Sequence, residues 1–178
     1  MDIEEDIVVS KEKALDLLRE KKVPLSVRRH SIKVAETAYK IASRITKKDA
    51  DKELVLIGGL LHDIGRAETH GFDHALLGGQ ILREEGFPEK YARICETHIL
   101  GGLDKSDAKN VGLPERDYLP ETLEEKIVCL ADKMTMGKKH VSIEERFKQW
   151  FEKYGKSRIL VKSKKRIEKI KKEIESLL

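Results

Sequence analysis

The residues of this chain best suited to chemistry are histidines and aspartates set at separated points along it: His30, the adjacent pair His62 and Asp63, His74, His98 and Asp132. Five of the six sit on, or at the end of, segments that otherwise read as buried helix. His30 shares a helical stripe with Val34 and Ile41. His98 follows Tyr91 by seven residues and Cys95 by three, on the same apolar face. Asp132 closes the apolar run Val128-Cys129-Leu130-Ala131. Burying so many imidazoles and carboxylates is costly unless something satisfies each of them. The bland alternative needs a separate hydrogen-bonding partner for every one. One or two divalent metal ions would satisfy them together, since neutral His and ionised Asp are nitrogen and oxygen ligands. The chain is therefore expected to be a metalloenzyme. With no thiolate at the candidate positions, the site suits Mn, Fe, Co, Ni or Zn.

The elements that must position these residues are helices. Apolar residues recur at 3.6-residue spacing almost throughout, with no convincing alternating strand. Ser10 is expected to cap a first helix that stops before Pro24, and Ser26 a second whose inner stripe is His30, Val34, Ala38, Ile41 and Ile45. Asp51 opens a third, running through Leu54, Ile57 and Leu61 to the His62-Asp63 pair. A fourth starts near Asp73, carries His74, Leu77, Gly78 and Ile81, and ends at Gly86. Pro88 suits the first position of a fifth, with Tyr91, Ile94, Cys95 and His98 on one face.

Residues 99–121 break the pattern with Gly101-Gly102, Asn110, Gly112, Pro114 and Pro120, so they are expected to be functional or to carry a short helix of their own. Thr122 with Glu125 reads as a capping box opening the helix of Asp132, and Ser142 with Glu145 as another, whose helix closes at Gly155. The expected architecture is all-α: a single helical bundle over residues 1–178, with a metal-binding core at about 26–136 and supporting C-terminal helices at 142–178. Glycine pairs flank three of the candidate ligands: Gly58-Gly59 before His62, Gly78-Gly79 after His74 and Gly101-Gly102 after His98. Mid-helix glycine costs about 1 kcal/mol against alanine, so close helix approach around a small site is the expected reason. An ordinary helix stop explains the third pair equally well.

A chain of 178 residues is the size of one domain. No stretch approaches the ~18 consecutive apolar residues needed to span a bilayer. The acidic start, Met1 to Asp6, lacks the basic region of a signal peptide, which makes a cytoplasmic protein the expectation. Cys95 and Cys129 provide no disulfide framework and read as small core residues. Charge is unevenly spread: residues 133–178 hold 15 Lys/Arg against 6 Asp/Glu, and residues 1–132 hold 21 against 26. With few aromatics interleaved, the basic end reads first as a solvated helix face, and RNA contact is the alternative.

The order His30, His62-Asp63, His74, His98, Asp132, with the run His62-Asp63-Ile64-Gly65, resembles the HD-domain metal-dependent phosphohydrolases of the His-Asp-Ile-Gly type, over roughly residues 26–136. The resemblance implies a helical bundle around one or two divalent metals. Carried over by position, His30, His62, Asp63 and Asp132 would hold the first metal. His74 and His98 match the additional histidines of two-metal members, in which the HD aspartate bridges both ions; a single ion centred on Asp63 is the alternative. Where the family often has Lys three residues after that aspartate, this chain has Arg66, which still binds phosphate but cannot readily donate a proton. The Gly-Tyr-Pro signature of cyclic-dinucleotide phosphodiesterases and any nucleotidyltransferase domain are missing. The layout also looks like that of the small diadenosine-tetraphosphate hydrolases, which suggests a nucleotide or dinucleotide substrate.

The reaction this implies is hydrolysis of a phosphate ester or anhydride. Metal coordination lowers the pKa of a bound water towards ~7 and offsets charge on the phosphate oxygens. Asp63, Arg66 and Lys133 are the candidate catalytic residues, with Arg66 and Lys133 clamping the phosphate. His70 reads more simply as an exposed loop residue than as part of the site mouth, and His140 has no assigned role. Two rival readings stand beside this one: a di-iron oxygenase of the same fold, and a non-catalytic regulatory module stabilised by metal. The last segment carries Ile159, Leu160, Ile167, Ile170, Ile174, Leu177 and Leu178. So regular an apolar stripe must be covered, either by the bundle or by a second copy in a homodimer.

Overall fold

The computed structural model describes residues 9–178; the acidic segment Met1 to Asp6 lies outside the described residues. The expected all-α architecture is what forms. The helices are α1 (Lys11–Glu20), α2 (Leu25–Arg44), α3 (Lys52–Leu61), α4 (His74–Glu84), α5 (Glu89–Thr97), α6 (Lys105–Asn110), α7 (Leu123–Lys133), α8 (Ile143–Tyr154) and α9 (Arg158–Glu175), with a 3₁₀ turn at Ile64–Ala67 between α3 and α4.

Side-chain caps set most helix starts. Ser10 accepts from the Lys13 amide, Asp51 from that of Leu54 and Ser157 from that of Leu160. Thr122 and Glu125 make a reciprocal capping box, as do Asp104 and Asp107 on α6, the short helix inside the 99–121 connection. Three caps differ from expectation. Helix α2 begins at Leu25 behind Pro24, so Ser26 lies inside its first turn and caps nothing. Pro88 is likewise the N-cap of α5 rather than its first residue. In both cases the ring fixes φ near −53° or −54°, so the chain enters the helix without a side-chain cap. Ser142 caps α8 through the Glu145 amide, without the return bond of a full box.

A strand pair also forms. β1 (Thr135–Met136) and β2 (Lys139–His140) make an antiparallel hairpin, with Thr135 opposite His140 and Met136 opposite Lys139. Two residues per strand are too few to leave an alternating pattern in sequence. Gly137 turns the hairpin at φ +58°, a conformation that other residues adopt only with strain.

Helix α2 lies against α3 and α7, α3 touches α1 and α5, and α4 lies on α5 and on the 3₁₀ turn. Two glycines let these elements close on the site. A Cβ on Gly59 would stand 2.7 Å from the Cα of Ala35, so α3 and α2 meet backbone to backbone. A Cβ on Gly65 would collide with the carbonyl of His74, so the 3₁₀ turn seats directly against the start of α4.

One apolar core runs from Ala14 and Leu18 on α1 through Val34, Leu61, Ile94 and Ile127 to Phe147 and Ile167. A second, smaller cluster of Ala75, Ile99, Leu103, Ala108 and Tyr118 lies under the 99–121 connection. Ile167, Ile170 and Ile174 of α9 are buried in the main core. Lys162 and Arg166 of α9 each bond both Asp104 and Asp107, every contact at 2.7 Å. Part of the basic charge of the C-terminal segment is therefore neutralised within the fold. No described helix is long and apolar enough to cross a membrane.

Candidate metal centre and its cavity

The folded chain brings all six candidate ligands to one place, and it does so with the ends of helices. His62 is the C-cap of α3 and His98 that of α5; His74 is the first residue of α4. At each of these ends the imidazole Nδ1 reaches the carbonyl three residues back: His62 to Gly59 at 2.6 Å, His74 to Gly71 at 2.7 Å and His98 to Cys95 at 2.6 Å. His30, inside α2, has no such local partner and uses Gly137 of the hairpin, also at 2.7 Å. A carbonyl only accepts, so each Nδ1 carries the proton and donates it. In the neutral ring Nε2 is then a lone pair.

Those four Nε2 atoms converge on two carboxylates. His30 stands 2.9 Å and His62 3.3 Å from Oδ1 of Asp132. His74 and His98 stand 3.1 and 3.2 Å from Oδ1 of Asp63, and His62 is 3.4 Å from its Oδ2. His74 and His98 also face each other Nε2 to Nε2 at 3.2 Å. Lone pairs turned on lone pairs and on carboxylate oxygens at these distances call for a shared cation. Nε2 of His62 and Oδ1 of Asp63 are, in addition, buried without a hydrogen-bond partner. The donor set therefore fits a metal. Three overlapping groups have ligand atoms within 4.8 Å of one another: His30, His62 and Asp63; His62, His98 and Asp132; Asp63, His74 and His98.

The electrostatics point the same way. Burial alone would push His62 down, but the close carboxylates of Asp63 and Asp132 raise it to about 10. Burial dominates at His98 and pushes it down to about 4. Both carboxyls are held well below their ordinary range despite burial: Asp63 by His62 and its other histidine partners, Asp132 by Lys133, His30 and His62. Without a metal, His62 is the ring that holds a proton between the two carboxylates.

Arg66 places Nε 3.3 Å from Oδ1 of Asp63 and leaves the rest of its guanidinium partly open. Lys133 is buried, and its Nζ donates to Oδ2 of Asp132 at 2.8 Å and to the carbonyl of His98 at 2.6 Å. Cys95 and Cys129 are buried free thiols; burial raises both, Cys129 to about 11. His140 is exposed on β2, and His70 is an exposed residue at the cavity edge beside Gly71.

The cluster opens into a cavity of about 540 Å³. His30, Asp63, His74, His98 and Asp132 line part of it, together with Arg66 and Lys133. The wall also includes Ile99, Leu100, Ser157, Ile159 and Leu160 and, unanticipated from sequence, Phe72 before α4 and Arg146, Trp150 and Tyr154 of α8. Their one signal in the sequence is the four-residue spacing from Arg146 to Trp150 to Tyr154, which puts all three on one helical face.

The HD domain family matches residues 27–137, more than half of the chain. This chain belongs to the HD domain family. An uncharacterized protein of Methanocaldococcus jannaschii is 47% identical to it, over 94% of this chain and 98% of that protein. The tRNA (cytidine(56)-2'-O)-methyltransferase of Picrophilus torridus is 38% identical over 82% of this chain, which spans only 42% of that enzyme. Among solved structures, the HD domain of the Listeria monocytogenes phosphodiesterase PgpH, in complex with cyclic-di-AMP, aligns over 91% of this chain and 95% of that one. With a TM-score of 0.54 and 20% identity, that likeness is one of fold.

Proposed function

We propose that this HD-domain protein is a metal-dependent phosphohydrolase that cleaves a phosphate ester or anhydride of a nucleotide or dinucleotide. One observation carries the reading: His62 Nε2 and Asp63 Oδ1 lie buried and unpartnered at the centre of six converging donors that open into a cavity beside Arg66. His30, His62, Asp63 and Asp132 would hold one ion, and His74 and His98 would hold a second with Asp63 shared. A metal held there would supply an acidified water, with its pKa lowered towards ~7, and would offset charge on the non-bridging phosphate oxygens.

The chain's own residues do the rest. The backbone carbonyls that fix each Nδ1 proton keep every Nε2 free for ligation. Arg66, whose Nε lies 3.3 Å from Asp63 Oδ1 without a hydrogen bond, presents its guanidinium donors to a phosphate oxygen. Lys133 is spent on two protein acceptors, so its part is to hold Asp132 in place. Relatives named for a cyclic-dinucleotide complex and for a tRNA substrate support a nucleotide rather than a simple ester.

The test is turnover. Protein reloaded with Mn, Co or Ni is presented with nucleotides, dinucleoside polyphosphates and generic phosphate esters. Release of phosphate or nucleotide that a chelator abolishes is expected. Arg66→Ala should lower kcat/KM by about ten- to a hundredfold with metal content unchanged. If no substrate turns over while the protein holds iron and consumes oxygen, the site is an oxygenase and the proposal is wrong.

A further inference from the structure

Helix α8 divides its side chains between two tasks. Ile143 and Phe147 are buried in the core, whereas Arg146, Trp150 and Tyr154 line the cavity that contains the metal-ligand cluster. Arg146 is the unusual member. Its Nε is buried without a hydrogen-bond partner, and among the described residues no carboxylate pairs with it. Its guanidinium carbon lies 4.6 Å from the Trp150 ring centre, which holds the fork in place from one side. Burial lowers its pKa, and the charge of Asp132 partly restores it. An arginine fork that lines a cavity, with its Nε buried and no acceptor among the described residues, is a site for an anion.

The same cavity has an uncovered aromatic wall. Phe72 is 42% and Tyr154 62% exposed, although both line the site. Trp150 is held edge-on against the buried ring of Phe147 at 5.2 Å, so its orientation is set before any ligand arrives. A simple phosphate or sugar phosphate would satisfy Arg146 and leave the exposed rings of Phe72 and Tyr154 in water. A nucleoside phosphate satisfies both, by placing its anion on the arginine and its flat base on the rings. About 540 Å³ is room for one nucleotide unit.

We infer that α8 is the recognition element of the site: Arg146 binds a phosphate of a nucleoside phosphate, and Trp150, Tyr154 and Phe72 take its base. This rests on the phosphohydrolase reading for its location, but it makes a binding claim that stands or falls separately.

Trp150 is the one tryptophan of the chain, so its fluorescence reports the site directly. Metal-loaded protein is titrated with adenosine monophosphate and, separately, with ribose phosphate, read in the first seconds after mixing. Saturable quenching by the nucleotide is expected, with ribose phosphate binding at least about tenfold more weakly for want of stacking. Arg146→Met should weaken nucleotide binding about tenfold or more without altering metal content. Phe72→Ala and Tyr154→Ala change exposed side chains, so they test the aromatic wall even if the arginine variant misfolds; each should weaken the nucleotide and leave ribose phosphate unchanged. A short oligoribonucleotide ending in the same phosphate, run in parallel, distinguishes a free nucleotide from a chain end, and binding of either supports the assignment. Equal binding of ribose phosphate and nucleotide, or wild-type affinity in all three variants, overturns it. Nucleotide binding without hydrolysis of any substrate keeps this inference and removes the phosphohydrolase. Hydrolysis of generic esters with no nucleotide binding does the reverse.

Discussion

Lys133 ties its neighbour Asp132 to His98 across the fold: Nζ donates to the backbone carbonyl of His98 at 2.6 Å while pairing with Oδ2 of Asp132 at 2.8 Å. One ammonium thus fixes the C-terminal end of α5 against α7 and orients the carboxylate that His30 and His62 face. Replacement by an apolar side chain of similar length leaves that carboxylate short of its buried cation and the carbonyl with only the weak Cys129 thiol donor at 3.7 Å. Lys133→Met should cost about 2–4 kcal/mol of folding stability, measured by urea unfolding, and should weaken metal binding. A variant with wild-type stability and metal affinity would show that the lysine is not a positioning residue.

Metal uptake should release protons. In the metal-free protein His62 is raised from 6.5 to about 10, so it is charged at neutral pH and must lose its proton to become a ligand. Its contribution to folding is fully present below about 6.5 and is lost as pH rises through about 10, because the folded state binds that proton more tightly. His98 runs the other way. Its folded pKa is lowered to about 4, so the unfolded chain takes up the proton first, and stability falls as pH drops from 6.5 towards about 4. Calorimetric metal titrations near about pH 8, in two buffers of different ionisation enthalpy, should give heats that differ by roughly one proton per His62 engaged. Identical heats in both buffers would mean that the ring is already neutral.

Gly65 is fixed by space rather than by backbone conformation. An added methyl group would meet the His74 carbonyl at the start of α4. Gly65→Ala should destabilise the protein by about 1–3 kcal/mol and move His74 away from Asp63, so that the group with His98 loses metal before the group with His30 does. Metal stoichiometry and thermal unfolding of the variant would check this; an unchanged melting temperature would contradict the close approach.

The six clustered side chains were legible because five of them interrupt an apolar helical face or end one, and burial there demands a partner. Helix order was legible for the same reason, and Ser10, Asp51 and Thr122 mark their starts with local chemistry. What escaped the sequence depends on distant contacts or on very short elements. Nothing near His30 announces that Gly137, in a hairpin of two-residue strands, would fix its ring. Pro24 outcompetes Ser26 as a helix start because a fixed φ needs no hydrogen bond. Arg146 reads as one more cation in a basic segment, and only the fold shows its Nε to be buried and without an acceptor.

Metal content of wild-type protein beside Asp63→Ala tests the central claim most directly, since Asp63 is the residue shared by the two groups of ligands built around His30 and around His74. Elemental analysis of carefully purified wild-type protein should find about one to two equivalents of transition metal, and the folded variant almost none. Full retention of metal by folded Asp63→Ala, or a wild-type protein that takes up no metal when it is offered, would contradict the account.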